Sequence, residues 1–186
     1  MIGSTSLSAA KGKYHLNGQP VRNWALGDVI GFLPQQWDLF DMSLADNLRL
    51  ADPQASDGML WEMLDSLALG TWARDLPHGL DTPMGEYGAA VSGGQARRIA
   101  LARVMLARRP ILILDEPLAG LDEATRSTVV QCLVTYQSEG LLIIASHVPV
   151  KAADARGGQE GGRRESVEKV QQLILDKDGM ALSLVP

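Results

Sequence analysis

The sequence predicts an α/β protein with a parallel β-sheet and a helical insertion. Residues 111–114 and 141–145 are short, continuous apolar runs, typical of parallel strands that are covered on both faces. Between them, residues 124–137 have the apolar spacing of a helix, so that strand, helix and strand alternate along the chain. A longer stretch with helical periodicity precedes these strands and forms the predicted insertion.

The composition is that of one globular domain. The 186 residues are 46% hydrophobic and 21% charged, which excludes wholesale disorder. The net charge of −5 argues against nucleic acid as a partner, because binding to the phosphate backbone depends on a basic surface. The lone cysteine, Cys132, cannot form an internal disulfide and favours a reducing cytosol. No apolar run is long enough to cross a bilayer, so a membrane role would need another polypeptide or segment.

Two strands are predicted near the start of the chain. Residues 13–16 followed by Asn17-Gly18 predict a strand that enters a tight turn. Residues 29–33 predict a short apolar strand that ends at Pro34.

The helical insertion follows. Ser43, with Asp46 three residues later, predicts a cap for a helix over residues 44–50. Residues 95–109 predict an arginine-rich helix that stops before Pro110, and residues 79–94 a glycine-rich loop ahead of it. Between the first helix and this loop, a further helix is predicted by one apolar stripe, formed by Leu60, Met63, Leu64 and Leu67.

The chain is predicted to close with a loop and a hairpin. Residues 157–164 have the composition of a flexible surface loop. Residues 172–175 and 180–185, on either side of Asp178-Gly179, predict an antiparallel pair.

Two acidic residues directly follow the strand at residues 111–114. Asp115 and Glu116 would therefore lie at the carboxyl edge of the sheet, where open α/β sheets bind ligands. The first carboxylate could hold Mg²⁺ through water, and the second could orient or deprotonate a water that attacks a γ-phosphate. These residues alone agree equally well with a strand that simply ends at the surface before Pro117.

A glycine-rich turn opens the arginine-rich helix. Ser92 can cap this helix, and Gly93 and Gly94 leave backbone N–H groups bare at its N-terminus, where the helix dipole favours phosphate. Taken alone, the turn is better explained as an ordinary cap.

Two more polar residues follow predicted strands. His147 comes just after residues 141–145, so its imidazole could contact a γ-phosphate and help to fix the attacking water. Gln35 comes after Pro34, and its amide could reach a metal or a water. Taken alone, His147 is more simply explained as a structural histidine, and Gln35 as a turn residue.

Taken together in chain order, these segments resemble the ATPase domain of ABC transporters over nearly the whole chain. Five motifs match in the family's order and with family-like gaps, which excludes a chance resemblance. Gln35 is similar to the Q-loop glutamine, and residues 91–95 are similar to the signature motif. Residues 111–116 resemble Walker B with the catalytic glutamate. Gly120-Leu121-Asp122 resembles the D-loop, and His147 resembles the switch histidine.

The resemblance implies a P-loop NTPase-like (RecA-like) fold with two parts. A helical signature subdomain would contain residues of about 43–109, and the RecA-like core residues of about 13–36 and 110–186. It also implies ATP and Mg²⁺ as ligands. The implied partners are a second ABC ATPase domain, arranged head-to-tail, and a transmembrane domain, with the chain on the cytoplasmic side of a bacterial inner membrane.

The resemblance also implies roles for individual residues. Glu116, His147 and Gln35 would carry the hydrolysis of the chain's own ATP, and Asp115 and Gln35 would hold the metal. The residues implied to bind nucleotide from the signature side are Ser92, Gly93, Gly94, Gln95 and Asp122.

Two segments resemble exporters within the family. Residues 76–86 are similar to the segment before the exporter signature that contacts the transmembrane part. Residues 37–40 lie in the region through which the ATPase domain would be coupled to the membrane domain. Residues 91–105, together with Pro117 and Gly120, look closest to the thiol (cysteine/glutathione) exporter of cytochrome bd assembly.

The chain departs from the family at the phosphate-binding loop. The family's GxxxxGK[ST] motif is absent: Gly12-Lys13 is followed by Tyr14, and Leu7 stands where the first glycine would be. The aromatic residue that would stack on adenine is absent as well. We therefore expect a chain truncated just beyond this loop that binds ATP weakly, hydrolyses none and aggregates.

Three functions stay open. The first is the motor of an exporter, and the second is a non-hydrolysing regulatory or scaffold subunit that offers only its signature face. The third, the head of a DNA-repair or chromosome ATPase, is disfavoured because no heptad run occurs. The family chooses its cargo in the membrane domain, so the transported substrate cannot be read from these residues.

Overall fold

The structure, a computed structural model, describes residues 15–16, 19–20, 26–85, 91–147, 172–176 and 179–183. Helices and strands follow one another in the order β1 (His15–Leu16), β2 (Gln19–Pro20), α1 (Leu26–Val29), β3 (Ile30–Leu33), α2 (Leu44–Arg49), α3 (Asp57–Ser66), α4 (Gly70–Arg74), a 3₁₀ turn (Gly79–Asp81), α5 (Gly93–Leu106), β4 (Ile111–Asp115), α6 (Glu123–Tyr136), β5 (Leu141–Ala145), β6 (Gln172–Asp176) and β7 (Gly179–Ser183). Among the described helices, none combines the length and the apolar character that crossing a bilayer requires.

A parallel sheet in the order β3-β4-β5 positions the ends of its strands together. Leu33 pairs with Leu114, and Asp115 pairs with Ala145, so the three strands finish at one edge. The pairs β1–β2 and β6–β7 are antiparallel. Gly179, predicted as part of a turn, is the first residue of β7 and pairs with Asp176. The predicted α/β class with a parallel sheet is confirmed.

The two faces of this sheet differ in burial. Leu112 and Leu114 are fully buried on the face against which Val104 of α5 packs at Gly31. On the other face Phe32 is 54% exposed and Leu141 is 51% exposed. Side chains alternate along β4: Leu112 and Leu114 are fully buried, whereas Ile111 and Ile113 are only partly buried. Of the cover expected on both faces, β4 thus has complete burial on one face and partial burial on the other, which we call the open face.

The helical insertion packs against α5. Leu60, Leu64 and Leu67 are fully buried and Met63 is partly buried, which confirms the predicted stripe on α3. The Ser43 hydroxyl accepts the backbone N–H of Asp46 at 3.0 Å, which confirms the predicted N-terminal cap of α2.

A buried amide joins the insertion to the chain that follows β3. The Asn47 side chain is fully buried and donates to the carbonyls of Phe40 at 3.0 Å and Ser43 at 3.1 Å. Arg103 of α5 donates to the Asn47 carbonyl at 3.0 Å and to its side-chain oxygen at 2.9 Å. These hydrogen bonds satisfy the buried amide and hold the segment after β3 against α2 and α5, since buried polar groups must be paired.

Several boundaries differ from the predictions. Helix α5 begins at Gly93 rather than Gln95, because Ser92 caps it, and it ends at Leu106 rather than Arg109. Arg108 has a φ of +49°, which a helix cannot continue. The loop predicted at residues 79–94 contains the 3₁₀ turn and a bridge from Pro83 to Ser43. The predicted loop at residues 157–164 lies outside the described residues.

Substituting Leu112 with alanine tests the one-sided packing of the sheet. Because Leu112 is fully buried, Leu112→Ala should lower the free energy of unfolding by about 3 kcal/mol in a urea titration. Leu141→Ala, the matched control in the neighbouring strand, should cost less than about 1 kcal/mol since that side chain is half exposed. Equal losses in the two variants would contradict the open face.

The cap of α6 predicts a pH effect. The backbone N–H and the hydroxyl of Thr125 both donate to the Asp122 carboxylate, at 3.0 and 2.7 Å, and hold the pKa of that carboxyl below its usual value. Because the pKa is lower in the folded state, the ionised carboxyl stabilises the fold at pH values above its unfolded-state pKa of about 3.9. This stabilisation is lost as the pH falls through the folded-state pKa. Asp122→Asn, which keeps a capping side chain, should lose less stability than the parent below about pH 4 in urea titrations. Identical pH profiles would exclude this contribution.

Candidate functional site

The carboxyl edge of the parallel sheet brings together residues that follow three different strands. Gln35 is exposed just beyond β3, and Asp115, at the end of β4, is partly buried. The side chain of Glu116 is 12% exposed, whereas that of His147, two residues beyond β5, is 91% exposed. A sheltered carboxylate therefore lies next to an accessible imidazole at this edge.

Glu116 is fixed in an uncommon backbone conformation. Its φ is +51°, in the left-handed region that few residues other than glycine adopt. Its N–H donates to the Ala145 carbonyl at 2.8 Å, and its Oε1 accepts the N–H of His147 at 2.7 Å. His147 Nε2 lies 3.6 Å from the same oxygen. These bonds turn the carboxylate across the end of β5 towards the histidine.

The backbone carbonyl of Glu116 accepts a hydrogen bond from Arg97 Nη1 of α5. The Arg97 guanidinium also lies over the ring of Trp37, 5.7 Å from its centroid. Arg97 could not be identified from the sequence, because one arginine among several on a helix has no pattern that marks its target. Its position five residues after Ser92 becomes informative only once the helix start and the strand end are placed.

The predicted signature turn forms a complete capping box. The Ser92 hydroxyl accepts the N–H of Gln95 at 3.3 Å, and the Gln95 side chain accepts the N–H of Ser92 at 2.9 Å. Ser92 and Gly93 are exposed, and a Cβ on Gly93 would meet nothing within 4 Å. The helix start is therefore open on one side, as an anion site at a helix N-terminus would need.

The turn before α6 lies against this helix start. A Cβ on Gly94 would come within 3.8 Å of Leu121 and within 3.9 Å of the Gly120 carbonyl. Gly120 has a φ of +75°, which glycine adopts without strain. Asp122, at the end of this turn, is exposed and uses both carboxylate oxygens to bind Thr125.

The oxygen donors at the sheet edge fit a hard cation that keeps most of its water. Within the described ranges, no three His, Cys, Asp or Glu residues are close enough to form a metal cage. The carboxylate of Asp115 and the amide oxygen of Gln35 are hard ligands of the kind that Mg²⁺ takes in small number beside waters and phosphate oxygens. These two oxygen ligands are compatible with Mg²⁺.

Comparisons with known proteins agree with this fold. The sequence matches the ABC transporter family over residues 2–119. The glutathione/L-cysteine transport system ATP-binding/permease protein CydC of Escherichia coli (strain K12) is 37% identical over 175 residues, which cover 92% of this chain and 28% of that protein. The ATP-dependent lipid A-core flippase of Xanthomonas oryzae pv. oryzae (strain MAFF 311018) is 36% identical over 146 residues, 75% of this chain and 24% of that protein.

A solved structure of a bacterial Atm1-family ABC exporter with ATP bound superposes with a TM-score of 0.66 at 29% identity. The match covers 70% of this chain and 23% of that one. It confirms the predicted P-loop NTPase-like core. The chain spans about a quarter of the length of each of these relatives. The predicted family resemblance is confirmed, and the chain belongs to the ABC transporter family.

Proposed function

We propose that this chain supplies the ATPase part of an ABC exporter, in which ATP hydrolysis between two head-to-tail domains drives transport. The observation that carries the proposal is the sheltered Glu116 carboxylate, bound to the His147 N–H at the edge where the parallel strands end. Thiols such as cysteine or glutathione are the favoured cargo, because CydC, named as a glutathione/L-cysteine transport protein, covers nearly the whole chain.

Glu116 and His147 would divide the work on the attacking water. With one oxygen held by the His147 N–H, the Glu116 carboxylate is oriented to accept the proton of a water. The exposed imidazole of His147 would donate to a γ-phosphate oxygen and thereby fix the distance between water and phosphorus. Gln35, beyond the neighbouring strand, would align the same water.

Asp115 and Gln35 would hold Mg²⁺ at the same edge. When bound, the ion neutralises charge on the β- and γ-phosphates. Asp115 pairs in the sheet with Ala145, whose carbonyl also receives the Glu116 N–H, so metal ligand and base would share one rigid support.

The open start of α5 would serve the nucleotide of the partner domain. Its bare N–H groups and the dipole of a 14-residue helix favour a phosphate there. The residues assigned to this face are Ser92, Gly93, Gly94, Gln95 and Asp122. Gln95 would act mainly by holding Ser92 in place, because its side-chain oxygen already closes the capping box.

The helical subdomain of residues 43–109 would pass the motion to a transmembrane domain, with the chain on the cytoplasmic side of the membrane. Residues 13–36 and 110–186 would form the nucleotide-binding core. Within the helical subdomain, the buried Asn47–Arg103 contact holds α2 against α5 and would help this subdomain to move as one unit.

A second candidate is an ABC-like subunit that does not hydrolyse ATP and offers only its signature face. The observation in its favour is the open start of α5, where Ser92 and Gly93 are exposed and would need no phosphate-binding loop in the same chain. The 186 residues contain no GxxxxGK[ST] loop, which in the family supplies the N–H groups and the lysine that bind the β- and γ-phosphates.

The isolated chain should bind ATP weakly and release no phosphate above background. Without those N–H groups and that lysine, binding depends on the edge residues alone. Calorimetric titration with Mg-ATP and a phosphate-release assay measure the two quantities. Robust turnover by the purified chain would contradict the dependence on the missing loop.

A chimera separates the two candidates. Joined behind the phosphate-loop segment of the CydC relative, the chain should hydrolyse ATP, and Glu116→Gln should reduce kcat by at least about 100-fold while ATP still binds. Glu139→Gln, the same change at an exposed carboxylate outside the assigned site, should leave turnover unchanged. A folded chimera that binds ATP but shows no turnover with glutamate at position 116 would favour the scaffold, and equal turnover with glutamine would exclude Glu116 as the base.

A further inference from the structure

We propose that Arg97 is a positioning residue for Glu116 and links it to Trp37, in the loop beyond Gln35. The catalytic importance of this link rests on the proposed function, whereas the link itself is a property of the fold. It is supported by three features: the strain at Glu116, the geometry of Arg97, and the place of Arg97 on α5.

Glu116 needs external contacts to keep its conformation. Its left-handed φ of +51° is disfavoured for a residue with a side chain as long as glutamate. The N–H is held by Ala145 and the carboxylate by His147, both from the end of β5. The carbonyl accepts two hydrogen bonds, from the Ala119 N–H of the following turn at 3.2 Å and from Arg97 of α5, on the packed face of the sheet. Of the described contacts of Glu116, the bond from Arg97 is the one that ties its carbonyl to α5.

Arg97 is itself held in one orientation. Its guanidinium lies 5.7 Å from the Trp37 centroid, a distance at which the aromatic face attracts a cation. In the described part of the chain no carboxylate forms an ion pair with Arg97. The planar donor is therefore directed at a carbonyl and an aromatic ring, a use to which arginine is better suited than lysine.

The position of Arg97 connects three segments of the site. It lies five residues after Ser92, less than two turns into α5, so it moves with the open helix start. Its ring partner, Trp37, follows Gln35 by two residues, and its carbonyl partner is Glu116. A displacement of the helix start by a partner would therefore change the support of Glu116.

The neighbouring arginine provides a matched control. Arg98 also donates to backbone carbonyls, those of Leu67 at 3.1 Å and Ala68 at 2.8 Å, but these belong to the turn after α3. Arg97 and Arg98 thus carry the same charge, lie on the same helix and both donate hydrogen bonds to backbone carbonyls. They differ in the segment to which those carbonyls belong.

Hydrogen exchange of individual backbone amides in the full 186-residue chain tests the link without nucleotide. Arg97→Ala should speed exchange at the Glu116 and His147 N–H groups by at least about tenfold, the loss expected for a hydrogen bond from a charged donor. Arg97→Lys should recover part of this protection, and Trp37→Leu should give a smaller increase than Arg97→Ala. Arg98→Ala should speed exchange at Ala68 and Leu69 instead.

Unchanged exchange at Glu116 and His147 in Arg97→Ala, or an equal increase there in Arg98→Ala, would overturn the proposal. If circular dichroism shows that an alanine variant is unfolded, the comparison is made between Arg97→Lys and Arg98→Lys with the same two outcomes. Failure of this link leaves the chimera experiment unaffected, because no ATP is involved. In a chimera that hydrolyses ATP, Arg97→Ala should lower kcat at least about fivefold with little change in KM, as loss of a catalytic geometry does.

Discussion

The hydrogen bond from the Glu116 N–H to the Ala145 carbonyl supports the rest of the candidate site. It continues the parallel pairing of β4 with β5 by one step beyond Asp115, at the point where the backbone turns into the left-handed region. Because the sheet register sets where each strand ends, the same register decides which side chains meet at the edge. A slip of one residue in β5 would separate the histidine from the carboxylate and direct β5's apolar side chains to the wrong face.

Local patterns were sufficient for the strands and for most of the helices. The apolar runs predicted β4 and β5, and the stripe from Leu60 to Leu67 predicted α3, which begins three residues earlier, at Asp57. The predicted closeness of Glu116 and His147 followed from the rule that parallel strands end together. The open face of the sheet and the role of Arg97 could not be predicted, because both depend on how distant segments pack and neither has a local periodicity.

Helix α5 holds its surroundings through a buried apolar face and through arginines that bind carbonyl groups. Arg97 holds the chain after β4, Arg98 the turn after α3, and Arg103 the segment around Asn47. Burial lowers the pKa of both Arg98 and Arg103, yet a guanidinium stays protonated at any physiological pH. Charged donors to carbonyls are stronger than neutral ones and need no acidic partner in a poorly hydrated region. One helix can thus hold three loops by hydrogen bonds while its apolar face packs into the core.

The open face of the sheet has a thermodynamic consequence. Phe32 and Leu141 keep about half of their surface in water in the folded chain, so unfolding adds less apolar surface there than a sheet covered on both sides would add. The heat capacity change of unfolding scales with newly hydrated apolar area. The stability curve of the chain should therefore be flatter with temperature than its length implies, and any polypeptide that covered Phe32 and Leu141 would sharpen that curve.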